Sequence, residues 1–162
     1  MPAATIAAAL ESGVDPRRLE VAAHEVGHGI VWHHGGIPIR HMAFTVGIFG
    51  GISDGACRRG PCPMTAANAE AFLIGFLAGA AAQHWVLTRH LGTSNGSARR
   101  VARGNSAYDI DEHQRLARAW RSPLNVDSSW SRAASILARH ERRLDALTAR
   151  LAISRRLSGS AL

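Results

Sequence analysis

His24, Glu25 and His28 stand in the segment H-E-V-G-H. On a helix turning about 100° per residue, histidines four positions apart share one face, so their ring nitrogens can converge on one metal ion. Zinc accepts imidazole nitrogen at about 2.0 Å, and a catalytic site combines three protein ligands with one open position for water. Glu25 follows His24 directly but is swung round the helix, so its carboxylate reaches toward that water instead of the metal. There it can take up a proton as the water attacks a carbonyl carbon. The chemistry implied is metal-assisted hydrolysis. Gly27, inside the same segment, costs a helix about 1 kcal/mol relative to alanine, which implies a close packing partner.

A third ligand must come from elsewhere. His34 has the spacing of the extended motif H-E-x-x-H-x-x-G-x-x-H, but Val31 occupies the place of the glycine that would break the helix. If the helix continues, His34 points away from the other two histidines, and His33 and His34 become C-terminal groups favoured by the helix dipole. The downstream acids are Asp54, Glu70 and the cluster Asp109, Asp111 and Glu112 in S-A-Y-D-I-D-E-H. The cluster opens a predicted helix and is the better source. Asp109 and Asp111 are two positions apart and cannot share a helix face, so at most one of them is a ligand.

The elements that must position these groups follow from local signals. Asp15-Pro16 is an N-cap acceptor followed by proline at the first helical position, and it starts a helix that runs to about His34. Gly35-Gly36 supply the left-handed conformations that end it. A β-rich run from Ile37 to Val46 predicts a strand, with a short second strand from Phe49 to Ser53. Asp54 to Met64 reads as a loop, and Thr65 caps a long apolar helix ending before Gly92. Gly92 to Asn105 reads as a flexible polar connection, followed by a helix from Tyr108 to Trp120. After Ser122-Pro123, Ile136, Leu137, Leu144, Leu147 and Leu151 keep the period of one last helix. The fold class expected is mainly α (α+β), a zincin-like helical domain with a two- to three-stranded sheet beside the motif helix.

The chain has 162 residues, 46% hydrophobic and 19% charged, enough for one domain over 1–162 with its core at about 15–158. Its formal charge is +7, yet every basic residue is arginine and the arginines are scattered, which gives no nucleic-acid footprint. Cys57 and Cys62, in C-R-R-G-P-C, lack the spacing of a zinc knuckle and are expected as free thiols. The N-terminus has no secretory pattern, which places the protein in the cytoplasm. Ala71 to Leu87 is rich in alanine and glycine and shorter than the roughly 20 apolar residues of a membrane span, so it is expected as a buried helix without membrane insertion.

Several segments, in order, resemble the proteolytic domain of the FtsH-type membrane-anchored ATP-dependent proteases. A-A-H-E-V-G-H-G-I-V is similar to that family's zinc helix and I-P-I-R-H-M-A-F to the strand after it. F-L-A-G-A-A-A-Q-H resembles its Gly-Arg-Ala-Ala-Glu helix, S-A-Y-D-I-D-E-H-Q-R-L-A-R its aspartate-bearing helix, and I-L-A-R-H-E-R-R-L-D-A-L-T-A-R-L its final helix. The resemblance covers roughly residues 15 to 158. It implies a zinc metalloendopeptidase in which His24, His28 and Asp109 bind Zn2+ and Glu25 is the catalytic base. The strand around Gly50, Gly51 and Ile52 would pair with an extended peptide. Gln83 and Ala80 replace the family's glutamate and arginine, which bears on metal affinity or rate. Neither the ATPase module nor the membrane anchor of that family is found in this sequence. Unfolded or extended peptides are therefore the expected substrates, with a homo-oligomer or an ATPase as partner; a catalytically impaired, zinc-stabilised interaction module is the alternative.

Overall fold

A computed structural model describes residues 4–162. The architecture is mainly helical with a small antiparallel three-stranded sheet, an α+β class. Helix α1 spans Ile6–Glu11 and α2 spans Pro16–His34, capped by Asp15, whose carboxylate accepts the backbone N–H of Arg17. Gly35 keeps an ordinary negative φ, and only Gly36, at φ 79°, takes the left-handed turn expected of both.

Strands β1 (Ile39–Val46) and β2 (Ile52–Arg59) form a hairpin in which Met42 faces Cys57 and Val46 faces Ile52. The second strand thus lies later than Phe49–Ser53 and occupies most of the segment expected as a loop. The turn is made by 47–51, where Gly50 has φ 79° and its N–H donates to the Gly47 carbonyl. The polar, glycine-containing run Ser53–Arg59 lacks alternation because β2 lies at an edge and one of its sides faces a cleft, so burial does not pattern it. A third strand, β3 (Arg156–Ser158), pairs with the other side of β1 and gives the order β2-β1-β3.

Helix α3 (Ala69–Arg89) starts four residues after Thr65, because Asn68 folds back to accept the Thr65 N–H and donate to the Pro63 carbonyl, tying 65–68 into a turn. By length and composition α3 passes for a membrane span, yet 78% of its most apolar stretch is buried within the protein, where it is the central core helix. It packs most extensively on α2. The two come close because Gly27 faces Ala78 and Ala82: a β-carbon at Gly27 would lie 2.5 Å from the Ala78 carbonyl oxygen.

The connection expected between Gly92 and Asn105 is a helix, α4 (Asn95–Asn105), capped by Ser94 and burying only Ala98 and Ala102. The helix is amphipathic, but its buried face is made of two alanines in an arginine-rich, glycine-containing run, so no large apolar residue marks it, and its outer face is tied down by Arg99 and Arg103, both on Asp127. Helix α5 (Ala107–Ala119) follows across Ser106, whose φ of −111° breaks the axis. The single last helix is in fact two, α6 (Val126–Arg139) and α7 (Glu141–Ser154), separated at His140 with φ −112° and ψ 21°. Their apolar residues keep one period across the break, which hides it in the sequence. Buried side chains from α1, α2, α3, α6 and α7 form one hydrophobic cluster, with Met42, Phe44 and Leu157 contributed by the sheet.

Candidate metal and active site

Helix α2 delivers His24 and His28 from one face, and the first turn of α5 delivers Asp109. The Nε2 atoms of the two histidines lie 3.0 Å apart. Oδ2 of Asp109 is 3.1 Å from His24 Nε2 and 3.3 Å from His28 Nε2. Asp111 is exposed and outside this group, Glu112 is engaged by Arg115, and Glu70 pairs with Arg132. His34 faces His140 at 3.4 Å, on the exposed end of α2. Of the candidate third ligands, the structure brings only Asp109 to the histidines, and these three are the one such cluster among the described residues.

The chemistry of the donor set fits a cation. His28 Nδ1–H donates to the Gly75 carbonyl at 2.7 Å, which leaves the lone pair of a neutral ring on Nε2, pointing at the other two ligand atoms. Ligands held about 2.0 Å from a tetrahedral centre stand about 3.3 Å from one another, close to the three separations seen here. Burial raises the Asp109 carboxyl, but His28 and His24 outweigh it and hold the group well below the usual carboxylate range. For His28, burial favours the neutral ring, while Asp109, and then Glu25 and the Gly75 carbonyl, push its pKa upward. Negative charge thus converges on this point from two carboxylates.

Helix α3 forms the back wall. A β-carbon at Gly79 would lie 2.5 Å from His28 Nε2 and 2.6 Å from His24 Nε2, so only glycine leaves room for both rings. One turn earlier, Gly75 lies against the Trp32 indole, which stacks on His28 at a centroid distance of 4.9 Å and 16° between planes. Trp32 Nε1–H donates to the Phe72 carbonyl, which fixes the indole and through it the His28 ring. Gly75 and Gly79 were not singled out from the sequence, and the signal that could have marked them is their four-residue spacing in an apolar helix. No sequence pattern pointed to Trp32.

Glu25 is only 6% exposed, and lies against β2, where a β-carbon at Gly55 would meet its Oε1 at 2.7 Å. Burial raises its pKa; His28 and His24 oppose this, Asp109 adds to it, and the Cys57 backbone N–H opposes it slightly. A carboxylate poised above its ordinary pKa is a better proton acceptor.

His24, Glu25, His28 and Asp109 line a cleft of about 790 Å³ whose opposite wall is Ile52 through Arg59. This wall is the free edge of β2. Ile52 opens that edge, whereas Gly50 and Gly51 lie in the hairpin turn and do not line the cleft. Gln83 reaches the cleft too, but its amide donates to Glu20 at 3.2 Å and not to a ligand residue. Ala80 is fully buried in the core. Cys57 and Cys62 are free thiols; burial pushes Cys57 up, and the neighbouring Glu25 charge adds to the effect.

A mainly helical domain with a small sheet and a His/His/Asp group on the floor of a cleft is the class that fold and site define. No protein-family model matches the sequence, and no curated protein matches it.

Proposed function

We propose that the protein is a zinc metallopeptidase, similar in its site to the FtsH-type peptidase domain, that hydrolyses peptide bonds of extended or unfolded substrates. One observation carries this reading: two imidazoles and a carboxylate converge within 3.0–3.3 Å beside a buried glutamate, facing an open strand edge. His24, His28 and Asp109 would hold Zn2+, which when bound supplies Lewis acidity, acidifying a water molecule and polarising the carbonyl.

The protein's own residues supply the rest. The free edge of β2 offers backbone donors and acceptors to an extended peptide laid along the cleft, which fixes the carbonyl relative to the histidines. Glu25 takes the proton from water at its carboxylate and can return it to the leaving amine nitrogen, a cycle suited to a group whose burial raises its pKa.

The test is Glu25→Gln in zinc-loaded protein with a fluorogenic unfolded substrate. About one zinc per protein molecule should be retained and cleavage should fall by at least about 100-fold, the usual contribution of general acid–base catalysis. Undiminished cleavage would exclude the reading.

A further inference from the structure

Arg59 ends β2 at the far side of the cleft, where its guanidinium carbon lies 4.6 Å from the Trp32 ring centroid, 5.0 Å from Phe72 and 5.4 Å from Phe76. Three aromatic side chains hold a planar cation in place and strip part of its water. Among the described residues no carboxylate lies within ion-pair distance of it and no oxygen accepts its hydrogen bonds. The acids nearest in the cleft are committed elsewhere: Glu112 receives two bonds from Arg115, at 3.0 and 2.7 Å, and Asp109 faces the histidines.

An arginine head carries five N–H donors in a rigid fork, and leaving them unmet in a partly desolvated place costs stability. The complement of that fork is a planar, bidentate anion, above all a carboxylate. Space is available, since Arg59 borders both the main cleft and an adjoining depression of about 330 Å³ lined by Cys57, Arg58, Gly60, Cys62 and Phe72.

We propose that Arg59 is a specificity residue that binds a substrate carboxylate, either that of an acidic residue or the terminal carboxylate of a peptide, in the same cleft as the metal ligands. The inference rests on the reading of that cleft as a peptide site. Trp32 fixes the distance, because it stacks on His28 and also lies under Arg59. The subsite therefore lies within two stacking distances of the His28 ring. Extended peptide advances about 3.3 Å per residue, so the carboxylate belongs within about three residues of the bond that is cut.

Binding, rather than turnover, tests this. In zinc-loaded Glu25→Gln protein, fluorescence anisotropy is read for a labelled, amidated, uncharged decapeptide and for variants with one Glu walked along it. A further variant carries a free C-terminal carboxylate in place of the amide. One Glu register, or the free terminus, should bind about tenfold tighter or more, as expected for charge-assisted hydrogen bonds, and whichever does so identifies the source of the carboxylate. Arg59→Met should abolish the preference. Arg59→Lys, which keeps a cation over the aromatic rings but loses the fork, should reduce it several-fold and answers the question if the methionine variant unfolds. Equal binding of all peptides, no binding, or a preference that survives both substitutions overturns the proposal. Cleavage by the wild type without acidic preference removes this inference and leaves the peptidase reading. A binding preference with no cleavage by the wild type does the reverse.

Discussion

Gly79 stands directly behind His28, so close that a methyl group on its α-carbon would sit 2.5 Å from the His28 Nε2. The imidazole cannot retreat, since its other nitrogen is held by Gly75 and its face by Trp32. Gly79→Ala should therefore leave the fold intact but weaken metal binding by about 10- to 100-fold, the range for a disturbed ligand support. Competitive titration with a chromophoric chelator, beside circular dichroism, measures both. Unchanged affinity would show that the rings have more freedom than their contacts imply.

Metal should stabilise the protein by mass action. At about a thousand times its dissociation constant, a metal that binds only the folded state contributes about 4 kcal/mol, which for a protein of this size is a rise in Tm on the order of 10 °C. Chelation should reverse that rise, and Asp109→Asn should largely remove it. An Asp109→Asn protein that gained as much as the wild type would assign the third ligand elsewhere.

Glycine-to-alanine substitution carries opposite expectations at two helical positions, one in the α2–α3 contact and one on α4. Gly27→Ala places its methyl group against the Ala78 carbonyl and the Ala82 methyl, both at 2.5 Å, and should destabilise by about 1–3 kcal/mol despite the better helix propensity of alanine. Gly104, helical in α4 with open space around it, should accept alanine with a gain of about 0.5–1 kcal/mol. Urea denaturation of the two variants compares them directly.

His113 carries a pH expectation independent of the metal. It is fully buried, its Nε2 bonds with the Ser129 hydroxyl at 2.8 Å, and its Nδ1 has no partner among the described residues. Burial lowers its pKa, so the folded state holds the ring neutral while the unfolded state protonates it at about 6.5. Stability from this group is complete above that pH and is lost as pH falls from there toward the folded pKa. In chelator, His113→Gln should flatten the pH dependence below about pH 6.5 by up to about 1.4 kcal/mol per pH unit. Parallel profiles for the two proteins would contradict this.

Legibility in the sequence followed the strength of local rules. Pro16 and Asp15 fixed the start of α2, and the four-residue spacing of His24 and His28 needed only helix geometry to predict their meeting. Asp109 was harder: it reaches His24 across 85 positions, and residue type and helix phase alone left it level with Asp111. Strand β2 was missed because it buries too little to impose a period, helix α4 because its buried face is only Ala98 and Ala102 in a polar, glycine-containing run, and the break at His140 because its apolar register runs straight through. Arg59 looked like one scattered arginine among many. Only the folded protein sets it on three aromatic rings.

An outer strand exposes unpaired backbone groups that another sheet can pair with, and β2 is such an edge. Its own irregularities limit that hazard. The pairing with β1 shifts register in two places, Asp54 adopts a left-handed φ of 54°, and the exposed Arg58 places a charge on the strand. A bent, charged edge is a poor template for a second rigid strand, which guards the protein against edge-to-edge aggregation.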